Sequence, residues 1–134
     1  MTNVAAREIS PPIPTEESKP FWQAANEGKF LIKRCVDCQK AHWYPRAVCP
    51  LCFSSNTEWQ HSAGTGVVYS YTIMRHGPQP FVLAFITLDE GPTLISNIID
   101  CDPEKITIGA AVRITFVQSS GEFKVPMFTL VSAN

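Results

Sequence analysis

Two Cys-x-x-Cys pairs, Cys35-Val36-Asp37-Cys38 and Cys49-Pro50-Leu51-Cys52, stand ten residues apart and constrain this chain more than any other feature. Each pair can turn two thiolates towards one point, and two such knuckles make a tetrahedral four-sulfur site. The ten residues between them suffice for a strand and a return loop. Thiolates are soft ligands, and the geometry suits Zn2+ or a single iron, with zinc favoured. A site closed by four cysteines leaves no position for water. It is therefore structural, and it orders a segment too short to build its own core. The competing uses of such pairs are two disulfides or a redox couple, and duplication of the pair argues against the redox couple. His42 lies inside the loop but is superfluous to four thiolates, and is read as a loop or surface histidine.

The disulfide alternative depends on compartment. No apolar run approaches the roughly 20 residues that span a bilayer. The N-terminal stretch MTNVAAREISPPIPTEESK is polar and Pro-rich, with no apolar signal core. The expectation is a cytoplasmic protein without membrane insertion, where thiols stay reduced. The fifth cysteine, Cys101, sits between Asp100 and Asp102. Their negative charges should raise its pKa, which makes it a structural or incidental thiol and a poor nucleophile.

Around the cysteines the chain of 134 residues divides into three parts: a tail and helix (1–28), a cysteine ribbon (29–63) and a β-rich remainder (64–134). Residues 1–18 read as an extended tail that gains order only against the rest of the fold. Residues 19–28 read as a short helix capped by Ser18, with Pro20 in its first turn and Gly28 at its end. Phe21, Trp22 and Ala25 give it one apolar face. Short strands are expected at 29–34 and 57–60. Beyond Gly64-Thr65-Gly66 come strands at 67–75, 81–88, 93–99, 111–117 and 128–131, with one helical turn at 102–106. Val67, Tyr69, Tyr71 and Ile73 alternate onto one face of the first of these. Residues 81–88 are apolar on both faces and read as a central strand. Five strands left as an open sheet would expose apolar edges, so a closed barrel of OB type is expected. The fold class is mainly β.

The order of these features resembles the DUF35 family. The resemblance rests on a helix with Phe21-Trp22, the four-cysteine ribbon with Tyr44-Pro45-Arg46, then Glu58-Trp59, Gly64-x-Gly66 and Val68-Tyr69-Ser70-Tyr71. It covers roughly residues 18 to 131. It implies a rubredoxin-like zinc ribbon followed by an OB-fold, with Cys35, Cys38, Cys49 and Cys52 as metal ligands. It also implies an accessory subunit of a thiolase-like enzyme in acyl-CoA metabolism, supporting acyl transfer or C–C bond cleavage by its partner. An acyl-CoA hydratase is the other partner the resemblance suggests. Gln39 and Phe53 stand where many such ribbons place Gly after the second cysteine. Ligation does not depend on that glycine, but the knuckle conformation and its backbone-to-sulfur hydrogen bonds do. The resemblance transfers no catalytic residue, and no G-x-S-x-G, H-E-x-x-H or Walker A sequence occurs.

Two surfaces remain as candidates for binding. Phe21, Trp22, Trp43 and Tyr44 either pack helix, ribbon and barrel together or line a groove for a pantetheine arm or a partner. Lys33, Arg34 and Arg46 are either solvated charges or contacts for the phosphates of coenzyme A, which Arg forks match in geometry. Arg75 and His76 mark a loop rim. A single-stranded nucleic-acid module is an alternative, because ribbons and OB-folds both bind single strands and Tyr69 and Tyr71 would provide stacking faces. Eleven basic residues and a net charge of -1 oppose it, so nucleic acid is not the expected partner. A stand-alone acyl-CoA-binding protein is the third reading. A charged fraction of only 17% favours a lasting protein partner.

Overall fold

The computed structural model describes residues 8–75 and 79–131. The expected loop positions His76, Gly77 and Pro78, and the first seven residues of the tail, lie outside the described residues. The order of elements is helix α1 (Lys19–Asn26), ribbon strands β1 (Leu31–Cys35), β2 (Ala41–His42) and β3 (Thr57–His61), then five further strands. These are β4 (Thr65–Met74), β5 (Phe81–Leu88), β6 (Thr93–Ile98), β7 (Ala111–Gln118) and β8 (Lys124–Leu130). A single 3-10 turn, Pro103–Lys105, lies between β6 and β7, with the Asp102 side chain accepting from the Glu104 amide.

Helix α1 buries Phe21, Trp22 and Ala25, the face its spacing predicts. Ser18 stands at the N-cap, but its hydroxyl does not cap the helix. It is buried and accepts instead from the Thr15 amide at 2.9 Å, bracing the turn before the helix. At the other end Gly28 adopts φ +77°. This lets the Gly28 and Lys29 amides close back on the carbonyls of Ala25 (3.0 Å) and Ala24 (2.9 Å), the paired bonds that commonly end helices.

The ribbon is a three-stranded antiparallel sheet in the order β2-β1-β3. The remaining strands close a barrel in the order β4-β5-β6-β8-β7, with β7 pairing back onto β4. All contacts are antiparallel except β6–β8, which run parallel and meet at Ile98 and Phe128. Val68, Val82, Ile86, Leu94, Val112 and Phe128 fill the interior. The same apolar cluster continues through Phe30, Phe21 and Trp22 to Ile32 of the ribbon, so helix, ribbon and barrel share one core.

Two details depart from the sequence reading. A β-bulge between Val68 and Ser70 shifts the β4–β5 register and reverses which residues face inward. Tyr69 therefore points outward, 66% exposed, whereas Tyr71 packs on the core and donates from its hydroxyl to the Ile106 carbonyl at 2.9 Å. The two tyrosines do not form one stacking face. The last strand also begins at Lys124, four residues earlier than expected, and contains Pro126. The Phe128 carbonyl accepts from the Ile99 amide beyond β6. Pro126, two residues earlier, faces that same side, where the ladder has a single residue pair. Its missing N–H thus costs β8 no bond to β7.

The entry to the barrel depends on close approach of β4 and β5 at Gly66. A Cβ there would stand 2.3 Å from the Thr87 carbonyl oxygen, a backbone atom that cannot turn aside. Gly66→Ala should therefore destabilise the chain by about 2–4 kcal/mol, as urea unfolding would measure. An unchanged unfolding midpoint would show that the barrel does not close at this strand crossing.

Candidate metal centre

The first cysteine pair closes β1 and the second follows the return loop, so the knuckles approach each other at one end of the ribbon. Each follows the same design. The Gln39 amide donates to the Cys35 carbonyl (2.8 Å), and the Phe53 amide to the Cys49 carbonyl (2.9 Å). Both turns require the left-handed backbone, which Gln39 (φ +63°) and Phe53 (φ +67°) adopt despite their side chains. Amides also point at sulfur, Cys38 to Cys35 Sγ (3.5 Å) and Leu51 to Cys49 Sγ (3.3 Å). The missing glycines have not altered the knuckle turn. A hydrogen-bonded set of Asp37, Ser54 and Asn56 ties one knuckle to the other, with the Val36 amide donating to the Asn56 carbonyl.

The four sulfurs lie within 4.8 Å of one another. Cys35 and Cys52 Sγ are 3.6 Å apart, and Cys38 and Cys49 Sγ 3.7 Å. A tetrahedral zinc with bonds of about 2.3 Å requires sulfur–sulfur distances of about 3.8 Å. The thiols also divide their protons unequally. Burial pushes Cys49 up, yet the Cys52 and Leu51 amides and the thiols of Cys38 and Cys52 bring it down to about 7. The Ser54 amide favours the Cys52 thiolate, but the Cys35 thiol, burial and the other two thiols push it up to about 12. The polypeptide unaided thus keeps Cys52 protonated at neutral pH, and a bound divalent cation would supply the charge that ionises it. The donor set fits zinc.

The remaining sequence candidates do not form a single surface. Lys33 and Arg34 are successive residues of β1 and leave the sheet on opposite faces. Lys33 Nζ sits 4.6 Å over the Trp59 ring and donates to Thr57 Oγ1. Trp43 packs edge-on against Phe21 and Tyr44 and tilts against Phe30, and the Trp22 indole donates to the Tyr44 hydroxyl at 3.1 Å. Both aromatic pairs thus join helix to ribbon, with Phe123 extending the contact to the barrel. Arg46 is exposed. Cys101 is half-buried, and burial first, then Asp102 and Asp100, push its thiol up.

His42 corrects the sequence reading. It is only 4% exposed, and it pairs with Lys33 across β1–β2. Neither ring nitrogen makes a well-formed hydrogen bond among the described residues, although the Arg46 backbone carbonyl lies close enough to interact with the ring. Burial lowers its pKa below the ordinary 6.5, the Arg46 carbonyl opposes this, and the charges of Lys33 and Arg46 lower it further. The ring therefore stays neutral at physiological pH. Its signal in the sequence was the flanking Ala41 and Trp43, whose strand alternation sets the residue between them on its own face.

Comparison with known proteins gives a consistent set of matches. Residues 22–58 match the family description "ChsH2, rubredoxin-like zinc ribbon domain", and residues 59–117 match "ChsH2, C-terminal OB-fold domain". The chain is 35% identical over 114 residues to a probable enoyl-CoA hydratase alpha subunit of Thermomonospora curvata, covering 81% of this chain and 36% of that protein. It is 34% identical to a DUF35 domain-containing scaffold protein of Methanocaldococcus jannaschii, covering 71% and 73% respectively. The solved structure titled "Ltp2-ChsH2(DUF35) aldolase" superposes with a TM-score of 0.80 at 31% identity, covering 90% of this chain and 98% of that one. The chain thus spans about a third of the hydratase subunit and most of the scaffold protein.

Two measurements check the centre. Elemental analysis should give about one zinc per chain, with Cys38→Ser losing it and turning poorly soluble, since four ligands close a structural site. Full zinc content in Cys38→Ser would overturn the assignment. Separately, a neutral buried His42 makes folding weaken as pH falls through 6.5, because the unfolded chain takes up a proton that the folded chain refuses. Chemical unfolding between neutral and mildly acidic pH should show this slope, and His42→Phe should flatten it.

Proposed function

Because the chain belongs to the DUF35 family of zinc-ribbon and OB-fold proteins, we propose that it is a zinc-stabilised accessory subunit of an acyl-CoA-processing enzyme. Cys35, Cys38, Cys49 and Cys52 hold the structural zinc. The bond chemistry belongs to the partner, and this chain supplies shape and contact.

One observation carries this reading. The outer face of β4–β5–β6 presents Tyr69, Phe85 and Ile95, which are 66%, 45% and 52% exposed, and Phe85 lies directly opposite Ile95. Val67, Thr72, Leu83, Thr87, Thr93 and Asn97 complete it, and none of these residues carries a charge. An uncharged face that exposes Tyr69, Phe85 and Ile95 together, on a sheet that closes its own edges, suits a protein surface better than bulk water. Related proteins described as a hydratase alpha subunit and as an aldolase assembly support a hetero-oligomer. Cys101, its thiol pushed up by burial and two aspartates, is unsuited to serve as a nucleophile.

The partner is inferred to be thiolase-like, the class that the resemblance to the DUF35 family implied. A hydratase partner is the second reading, favoured by the similarity to the hydratase alpha subunit. The coenzyme A thioester would pass the ribbon face on which Lys33 and Arg46 act together on His42, with Arg34 directed to the other face. The split of Tyr69 from Tyr71 removes the paired stacking face that spoke for a nucleic-acid role beyond the ribbon and barrel themselves.

Reconstitution tests the proposal. Purification from the native cell should carry an acyl-CoA enzyme with this chain, and that enzyme's thioester turnover should fall when the chain is removed. Phe85→Glu should leave the zinc bound and abolish retention of the enzyme, a loss of about 2 kcal/mol or more for a charge placed in an apolar contact. Turnover by this chain alone, or full retention by Phe85→Glu, would overturn the accessory role or the docking face respectively.

A further inference from the structure

The ribbon sheet runs β2-β1-β3, so one side of β3 has no neighbouring strand among the described residues. Which backbone groups that side carries follows from the bonds at the two ends of the ladder. The Ser62 amide donates to the Phe30 carbonyl (2.9 Å), and the Val36 amide to the Asn56 carbonyl (2.9 Å). Bonded and non-bonded partners alternate along an antiparallel pair. Ile32 with Gln60 and Arg34 with Glu58 are therefore the bonded partners between these ends. Cys35 agrees, since its amide turns away from β3 and donates to the Lys40 carbonyl (3.0 Å). Thr57, Trp59 and His61 thus direct their amides and carbonyls away from β1. No other backbone group of the described residues meets them.

An edge of this kind pairs with a further strand unless something prevents it. The usual devices are missing from β3. It contains neither Lys nor Pro, and Glu58 is its one formal charge. Its register with β1 runs unbroken from Cys35–Thr57 to Leu31–His61. The opposite ribbon edge, β2, is only two residues long, and the barrel strands close on one another.

The sequence of β3 is complementary to itself in one register. Two antiparallel copies must set outward residues against outward residues. With Glu58 on the two-fold axis, the glutamates of both copies would stand opposite each other in a non-bonded pair, where side chains are closest. With Gln60 on the axis, Thr57 would face Ala63, whose amide already donates to Glu90 (3.1 Å). With Trp59 on the axis every outward residue finds a partner. Trp59 meets Trp59, Thr57 meets His61 in bonded pairs, and Glu58 stands opposite the Gln60 amide instead of a like charge. The aromatic pair adds a cross-strand contact of the stabilising kind. Lys33 Nζ, 4.6 Å over the Trp59 ring, steadies that ring from the β1 side.

We propose that this chain pairs with a second copy of itself through the β3 edge, the two ribbons joining into one continuous antiparallel sheet centred on Trp59. A strand of another protein would satisfy the same backbone groups. The second copy is assigned because the strand's own sequence meets each requirement of a two-fold contact. The proposal goes beyond the accessory reading and does not depend on it: the edge belongs to the ribbon and the docking face to the barrel, and no residue is shared. An assembly built on both contacts contains this chain in pairs. A strand pair of this length buries little area, which places the dimer among weak associations with a Kd of roughly 1–100 µM.

Sedimentation equilibrium of the zinc-loaded full chain, alongside amide hydrogen exchange at rising protein concentration, tests this. The expected result is a mass that rises towards that of two chains by about 1 mM. The Thr57, Trp59 and His61 amides should gain protection over the same range, while those of Tyr69, Phe85 and Ile95 keep their rates. His61→Pro removes an outward N–H that β1 does not use, as Pro126 does on the sparse side of β8. It should keep zinc and weaken the dimer about tenfold or more. A monomer throughout, a dimer that leaves the three β3 amides unprotected, or His61→Pro that associates as tightly as the unaltered chain would each overturn the proposal. Protection of those amides only on adding a partner enzyme would overturn the second copy as occupant. If His61→Pro fails to hold zinc, exchange in the unaltered chain decides the matter alone. A dimer formed without any acyl-CoA enzyme in association removes only the accessory role.

Discussion

Convergence of four sulfurs at the end of the ribbon is the constraint on which the rest of this structure depends. Three strands, one of them only two residues long, enclose little apolar volume of their own. Ile32, Cys35, Cys49 and His42 are the fully covered strand and knuckle side chains, with Pro45 beside them. A hydrophobic core of that size cannot offset the conformational entropy of ordering some thirty residues at roughly 1–2 kcal/mol each. Metal coordination can, because a structural zinc in such a site contributes on the order of 10 kcal/mol or more. The knuckle turns accept the strain of Gln39 and Phe53 at positive φ for the same reason. The amide-to-sulfur bonds and the sulfur positions are set by the turn, and the coordination energy exceeds the roughly 1–2 kcal/mol that each left-handed side chain costs.

Rigidity then passes from the ribbon to the barrel through aromatic rings. Trp43 follows β2 directly, and its ring meets Phe21 of the helix at 4.9 Å and Phe30 at 5.8 Å between centroids. Trp22 meets Phe123 ahead of β8, while Asn26 accepts from the Lys124 amide at 2.8 Å. The extended segment before the helix adds two more ties, Glu17 to the Ala47 amide and the Ile9 carbonyl to the Ser120 amide. No single one of these contacts fixes an orientation. Together they hold the helix as a wedge with one side on each unit, and the junction between ribbon and barrel keeps a definite shape as a result.

What could be read from sequence follows how local each cause is. The cysteine spacing is a local chemical pattern, and the four sulfurs converge as expected. The separators that bound β5, β6 and β7 are local turn signals, and those strands appear within a residue of their expected places. Non-local causes were not legible. The bulge at Tyr69 arises from the register of β4 against β5, so strand alternation alone assigned Tyr69 and Tyr71 to one face. Pro126 looks like a strand breaker until the pairing of its two sides is known, and only then is it seen to face the sparse side. The Ser18 hydroxyl has two local partners to choose between, and its burial against the preceding turn selects Thr15 over the helix amides. His42 appeared surplus because ligand counting asks only whether a metal needs it.

Most buried polar side chains of this fold are paired, and among the described residues the His42 ring and Gln60 Oε1 are the exceptions. The buried Ser18 hydroxyl accepts from Thr15, and the buried Ser119 hydroxyl donates to the Phe123 carbonyl at 2.6 Å. The half-buried Ser96 hydroxyl donates to Pro126, and Tyr71 to Ile106. Leaving a buried polar atom without a partner costs about 1–3 kcal/mol, and the Arg46 backbone carbonyl only partly relieves the His42 ring of that cost. A phenylalanine would fill the same volume between Ala41 and Trp43 without that penalty. Burial first, and then the charges of Lys33 and Arg46, keep the ring neutral, which preserves an acceptor as well as a donor on it.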